Sequence, residues 1–187
     1  MSFILLGILN SQVEGGAAGA YELIESQVLS SSASSVTFSS IPQDYKHLQI
    51  RMVVRSASTS ANRSIQYQFN ADTGANYAQH SLVANGSVVG SGSGYGLTYI
   101  SDEFVPEADS PTGIFGAAVA EILDYSNTAK NTTLKTLSGT GVSTQVLWPI
   151  GLHSGLWNNT SAVTQIKLTP LGSAAAGSRF SLYGIRG

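Results

Sequence analysis

The chain has 187 residues, of which 42% are hydrophobic, with 9 Lys and Arg against 11 Asp and Glu and a formal net charge of −2. This length and apolar content fit one domain with a hydrophobic core. The chain contains no cysteine, which excludes disulfides, thiolate-bound zinc and a thiol nucleophile, and its near-neutral charge argues against nucleic-acid binding by electrostatic attraction.

The chain begins with an apolar run, Met1–Leu9, followed by a small-residue stretch, Gly15–Gly19. The first basic residue is Lys46, so the positive start of a signal peptide is missing, and the run is too short to span a bilayer. We therefore expect residues 1–20 to form an arm and hinge ahead of one domain, residues 21–187, without membrane contact. The arm is expected to dock onto a neighbour, or back onto its own sheet, through its large apolar side chains: Phe3, Ile4, Leu5, Leu6, Ile8 and Leu9.

From Tyr21 onward, apolar residues recur at every second position, which is the period of β-strands. The clearest alternation runs through Leu48–Val54 and Ile65–Phe69. Further strands are expected at Glu22–Leu29, Ser35–Ser40, Tyr77–Val83, Tyr95–Ile100, Ile114–Tyr125, Thr132–Leu137, Thr144–Ile150, Val163–Thr169 and Arg179–Ile185. About ten short strands without a helical layer predict an all-β protein, an antiparallel two-sheet β-sandwich that is jelly-roll-like.

A glycine-rich run, Gly90-Ser-Gly92-Ser-Gly94-Tyr-Gly96, lies between two of these strands. It lacks the Lys-Ser/Thr pair of a P-loop and the helix that would place a dipole on a phosphate. Glycine at every second position instead predicts a strand with one bare face, or a wide hairpin.

Residue patterns typical of catalysis and metal binding are missing. No serine lies in G-x-S-x-G, and His47, His80 and His153 are far apart in sequence, outside metal-binding spacing. The acidic stretch Ser101–Asp109 and the loop Asn70–Asn76 supply oxygen ligands but do not follow a calcium-loop pattern. We interpret the first as a solvated loop and the second as an Asp-Thr-Gly turn, and we expect no catalytic residue, no metal and no cofactor.

Two tryptophans flank a predicted loop, Pro149–Leu156. Trp148 continues the apolar face of a predicted strand and is interpreted as core. For Trp157 we favour packing, and the alternative is a platform on which a sugar ring stacks, with Tyr95 and Tyr99 as further contacts.

Charged residues make up 11% of the chain, against ~25% in a typical soluble domain. None occurs between Thr136 and Ile166. A surface of hydroxyls and amides suits repeated contact with copies of the same chain or with a large assembly. The alternative is a secreted-type β protein with an uncharged polar surface.

Several runs together resemble a family of tailed-bacteriophage virion structural proteins, abundant in marine, cyanobacterial and actinobacterial phages. The resemblance covers nearly the whole chain from Tyr21. Its order and spacing are more specific than any single run. The runs are Tyr21-Glu-Leu-Ile, Ser34-Ser-Val-Thr-Phe-Ser-Ser-Ile-Pro42, Tyr45-Lys-His-Leu-Gln-Ile-Arg51, Phe69-Asn-Ala-Asp-Thr-Gly-Ala-Asn-Tyr77, Glu121-Ile-Leu-Asp-Tyr125, Ser154-Gly-Leu-Trp-Asn-Asn-Thr-Ser-Ala-Val163 and Phe180-Ser-Leu-Tyr-Gly-Ile185.

The resemblance implies a non-enzymatic structural component of the virion. An apolar arm followed by a hinge suits a capsid decoration (cement) protein that stabilises the shell of the major capsid protein from its outer surface as a homo-oligomer, with a trimer favoured. The alternative is a tail or fibre-associated module that binds host surface glycans through Trp157, Tyr95 and Tyr99.

Overall fold

The computed structural model describes residues 20–59, 64–103, 105–141 and 150–187. The predicted arm residues Phe3, Ile4, Leu5, Leu6, Ile8 and Leu9 lie outside these ranges, as does Trp148. Within them, all regular elements are strands: β1 (Tyr21–Val28), β2 (Val36–Phe38), β3 (His47–Val54), β4 (Ser64–Phe69), β5 (Tyr77–Ala84), β6 (Val89–Leu97), β7 (Ile100–Glu103), β8 (Gly116–Leu123), β9 (Thr132–Gly139), β10 (Ile150–Trp157), β11 (Ile166–Pro170) and β12 (Arg179–Ile185). In this part of the chain, no helix has the length and apolar character needed to cross a membrane.

The strands form two antiparallel sheets. The larger has eight strands in the order β1-β12-β3-β8-β9-β10-β5-β6, and the smaller has four in the order β2-β11-β4-β7. This confirms the predicted all-β sandwich of two antiparallel sheets.

The connectivity is that of a jelly roll with two added hairpins. Without β5–β6 and β9–β10, four strands (β1-β12-β3-β8) face four others (β2-β11-β4-β7). Among these eight strands, each strand and the next one along the chain lie in different sheets. The exception is β4 and β7, which are neighbours in the smaller sheet. Both hairpins lie next to β8 at the same edge of the four framework strands. Strands β9, β10, β5 and β6 therefore extend the larger sheet beyond the framework.

One hydrophobic core fills the space between the sheets. Alternation places Leu48, Ile50 and Met52 of β3 inside, where they join inward residues of β4, β8, β11 and β12. On β12, the ring of Tyr45 lies over Gly184, where a Cβ would come within 2.3 Å of the ring. Only glycine admits this close approach.

Most predicted strands differ from the observed ones by a few residues at their ends, and the strand expected at Thr144–Ile150 lies outside the described residues except for Ile150. Two differences are larger. The strand expected at Tyr95–Ile100 is instead the end of β6 and the start of β7, and the glycine-rich run lies within β6. The loop expected at Pro149–Leu156 is mostly strand β10. There, glycines alternate inward because the Ile100 side chain packs against Gly155, where a Cβ would lie 2.7 Å from it. An inward glycine hides the apolar alternation from which a strand is predicted.

Candidate functional site

The outer face of the larger sheet carries two adjacent cross-strand rows of apolar side chains. In the first row, Val119 pairs with Leu137, Leu137 with Leu152, and Leu152 with Leu82. In the second, Ile150 lies between Gly139 and Ala84, and Gly139 pairs with Ala117 on its other side. We call this set the apolar face; its residues are Leu82, Ala84, Ala117, Val119, Leu137, Ile150 and Leu152.

The large side chains of the apolar face are exposed in the single chain. Leu137 is 58% exposed and Ile150 57%, and Leu82 and Leu152 are close behind. Single exposed leucines are ordinary, whereas a contiguous apolar surface across four strands is unusual for an isolated chain.

The added strands reverse the usual inside-outside distribution of side chains. On β9 and β10, the inward residues Thr136, Ser138 and His153 are buried, while Leu137 and Leu152 point outward. A free-standing sheet gains stability from the opposite arrangement. Leu134 of β9 and Trp157 of β10 are buried on the inner side, so the reversal is confined to the end of β9 and the start of β10, where apolar side chains lie on the outward side.

A shallow depression lies within the apolar face, where Gly139 leaves a gap between Ala117 and Ile150. The walls are aliphatic, with Val119 and Leu137 on one side. It can accept an apolar side chain of a partner.

Polar groups border the apolar face along the next row. There, the Lys135 ammonium lies 2.7 Å from a Glu121 carboxylate oxygen, and this contact holds the pKa of Glu121 below its usual value. At the β3 end of the Val119 row, the guanidinium of Arg51 stacks 4.7 Å from the ring centroid of Tyr183. An apolar centre with a polar border is the usual composition of a protein contact surface.

The inner side of the added strands is closed by β7. His153 is 2% exposed there, and burial lowers the pKa of its imidazole to about 4, so the ring is neutral at pH 7. His80 lies on the opposite side of the sheet, where its Nε2 is 3.0 Å from the Tyr95 hydroxyl. The two histidines therefore do not form a joint site.

Trp157 belongs to the core, which confirms the packing interpretation and shows that its alternative role as a sugar platform is wrong. The ring is 1% exposed and packs on Phe69, with centroids 5.6 Å apart. Its Nε1–H donates to Asp72 Oδ2 at 2.7 Å, and Asn76 Nδ2 donates to the same oxygen. These bonds lower the pKa of Asp72. A buried, hydrogen-bonded indole has no free ring face for a ligand.

The other two rings proposed for glycan contact are not placed beside Trp157. Tyr95 lies on β6 with its ring on the outer face of the sheet, next to His80. Tyr99 is half-buried in the turn between β6 and β7. The three residues do not form one platform.

The acidic stretch is not a solvated loop, so that interpretation is wrong. Asp102 lies in β7, is 1% exposed, and accepts hydrogen bonds from the Tyr67 hydroxyl at 2.5 Å and the Ile65 N–H at 3.3 Å. Glu107 is also buried. Burial, together with the neighbouring Asp102 carboxylate, raises the pKa of Tyr67 well above its usual value. Asp102 thus fixes the edge of the smaller sheet.

The loop Asn70–Asn76 forms the predicted turn. Asp72 Oδ1 accepts from the Gly74 N–H at 2.8 Å, which is an Asx turn. Among the described residues, no three His, Asp or Glu side chains lie close enough together to hold a metal ion.

Comparison with known proteins identifies no family. No family model matches the chain, and neither does any curated protein. A solved structure, the crystal structure of protein of unknown function SO2946 from Shewanella oneidensis MR-1, aligns over 90% of this chain and 77% of its own length, with 8% identity and a TM-score of 0.27. Similarity this low carries no functional argument, and the resemblance to phage virion proteins stays a prediction.

Proposed function

We propose that this chain is a non-enzymatic structural protein of a virus particle, a capsid decoration protein that binds the shell of the major capsid protein from outside. The observation that supports this most is the apolar face, an uncharged contact surface that extends from framework strand β8 over the added strands β9, β10 and β5. A surface of this kind serves binding, not solubility or catalysis.

The chemistry of the apolar face favours a protein partner. Its two rows contain no Lys, Arg, Asp or Glu, so they offer nothing to phosphates or to anionic lipid headgroups. An uncharged apolar protein surface is the complement.

The energy available fits attachment of many copies to one shell. Half-burying each of Leu82, Val119, Leu137, Ile150 and Leu152 contributes ~1 kcal/mol per side chain. That sum offsets only part of the cost of association. A homo-oligomer that docks several such faces gains the rest through avidity. In this proposal, Phe3, Ile4, Leu5, Leu6, Ile8 and Leu9 supply a second attachment.

Co-sedimentation tests the proposal, with shells assembled from the major capsid protein encoded in the same genome. Leu137→Ser with Leu152→Ser is expected to weaken binding about tenfold or more, because ~1 kcal/mol is lost at each position. Leu23→Ser is the matched control. Leu23 is 55% exposed on the same outer face but lies on β1, separated from the apolar face by β12 and β3. Equal binding of the double variant and the control contradicts the proposal.

The same preparation distinguishes the alternative, a glycan-binding tail module. Tyr95 is the exposed ring on which that function now depends. Binding to a host glycan that is lost in Tyr95→Ala, with no binding to shells, would support the alternative and overturn the decoration role.

A further inference from the structure

The two edges of the larger sheet are built differently. Strand β1 closes one edge and carries Glu22 and Glu25. Charges of this kind prevent an edge from pairing with other chains. Each edge strand has one irregularity, between Leu23 and Glu25 on β1 and between Gly94 and Leu97 on β6, so the two edges differ in charge and not in regularity. Strand β6 closes the other edge and has nine residues, none of them charged and none proline. Charge is absent from the whole segment 74–100.

The backbone groups of β6 are available for pairing. In the turn before β6, the Asn85 N–H donates to the Val88 carbonyl, so these two residues form a hydrogen-bonded pair. Hydrogen-bonded and non-hydrogen-bonded pairs alternate along an antiparallel ladder, so this pair determines which residues of β6 bond to β5. Gly90, Gly92 and Gly94 then bond to β5, and the N–H and C=O groups of Ser91 and Ser93 face the open side. Among the described residues, no strand covers that side.

The side chains of β6 are symmetric about Gly92. Val89 and Tyr95 lie three positions to either side and are both 69% exposed, more than any other large apolar residue in the described chain. Ser91 and Ser93 lie one position to either side of Gly92. The glycines Gly90, Gly92 and Gly94 occupy the inner face of the sheet.

We propose that β6 pairs antiparallel with β6 of a second copy of this chain about a twofold axis at Gly92. In this register Val89 faces Tyr95 of the second copy and Ser91 faces its Ser93. Aromatic–β-branched pairs and serine pairs both stabilise antiparallel strands. The outward N–H and C=O groups of Ser91 also fall opposite those of Ser93 of the second copy, as the ladder requires.

A second copy fits this edge better than another strand. The register is self-complementary, the strand has no charge to repel its own copy, and a twofold contact closes with two chains. The two eight-stranded sheets become one, with both apolar faces on the same side. The pairing does not depend on the proposed function, because it concerns a different surface.

A charge swap tests the register in the full chain. Ser91→Lys with Ser93→Lys places like charges opposite each other twice and is expected to raise the dimer dissociation constant at least tenfold. Ser91→Lys with Ser93→Glu places opposite charges there and is expected to restore the dimer. Ser30→Lys with Ser32→Lys, at exposed positions just after β1 at the other edge of the larger sheet, adds the same charge as the first variant and is expected to leave the dimer intact.

Analytical ultracentrifugation over a dilution series measures the dimer dissociation constant of the wild-type chain and the three variants. The wild-type chain is expected to be a dimer, and a monomer or a trimer overturns the inference. Failure of the Lys/Glu variant to recover what the Lys/Lys variant loses also overturns it. Loss of the dimer lowers shell binding only through avidity, whereas Leu137→Ser with Leu152→Ser removes the shell contact itself and leaves the dimer intact, so the two failures are distinguishable.

A cross-link gives an independent measurement, because the chain has no cysteine of its own. At the twofold axis, the two copies of residue 92 form a pair without backbone hydrogen bonds, with Cα atoms about 4.5 Å apart, a distance that a disulfide spans. Gly92→Cys is expected to form a covalent dimer on mild oxidation, with only the Ser81 hydroxyl 3.0 Å from the new Cβ. Ser87→Cys is the control, and cross-linking no greater than in that control overturns the register.

Discussion

At the scale of single residues, the burial of His153 links stability to pH. An imidazole in the unfolded chain has a pKa near 6.5, whereas burial lowers that of His153 to about 4 in the folded state. The unfolded state therefore binds a proton first as the pH falls. The contribution of neutral, buried His153 to the free energy of unfolding is fully present above about pH 6.5. It decreases by up to roughly 3 kcal/mol as the pH falls towards 4.

We predict that the wild-type free energy of unfolding falls between pH 6.5 and 4, and that His153→Gln removes most of this dependence. Urea unfolding at several pH values measures it. Four acidic groups with a lowered pKa also stabilise the folded state, but this stabilisation is lost mainly below about pH 4.5, so it is distinguished from that of His153 by its pH range. These groups are Glu22, Asp72, Glu121 and Asp124. Parallel curves for the two proteins above pH 4.5 would contradict the assignment to His153.

At the scale of elements, the contact of β7 with β10 holds the added strands against the framework. Gly155→Ala places a methyl group 2.7 Å from the Ile100 side chain. Because overpacking of a core contact typically costs ~1–3 kcal/mol, we expect the thermal midpoint to fall by several degrees. Gly141→Ala is the control, since a Cβ there meets no described atom within 4 Å. A midpoint equal to that of the control rules out a tight contact.

Strand prediction from sequence succeeded where one face of a strand is apolar and the other polar. The alternation of Leu48, Ile50, Met52 and Val54 was enough to place β3, because burial of one face is the signal that periodicity detects.

Prediction failed where tertiary contacts decide. Strand β10 has Gly151, His153 and Gly155 on its inner side before Trp157, so most of its buried face carries no apolar signal. Asp102 is buried because the Tyr67 hydroxyl and the Ile65 N–H meet it from β4, and nothing near it in sequence indicates this. The apolar face was missed for a related reason: Val119, Leu137 and Leu152 become neighbours only through strand pairing.

At the scale of the whole molecule, the two hairpins concentrate the candidate contact surfaces at one side. The framework strands β1-β12-β3-β8 end at an edge that carries charge, whereas β9, β10, β5 and β6 bring the apolar face and an uncharged edge. In the proposed function, partners cover this side of the chain. A covered side needs less charge for solubility, which would account for the low charge content.

The ionic-strength dependence of the proposed shell binding tests whether the apolar face or charged contacts dominate the attachment. Charged pairs are screened as the Debye length falls from ~10 Å at 0.1 M salt to ~3 Å at 1 M, whereas burial of apolar surface is not weakened by sodium chloride. The charged groups nearest the apolar face, Arg51 and the Glu121–Lys135 pair, lie at its border. We therefore expect the dissociation constant for shells to change by less than about threefold over this range, and sodium sulfate to tighten binding. Co-sedimentation at each salt concentration measures it, with Leu137→Ser and Leu152→Ser as the weakened reference. A tenfold or greater loss of affinity in sodium chloride would mean that charged contacts outside the apolar face dominate the attachment.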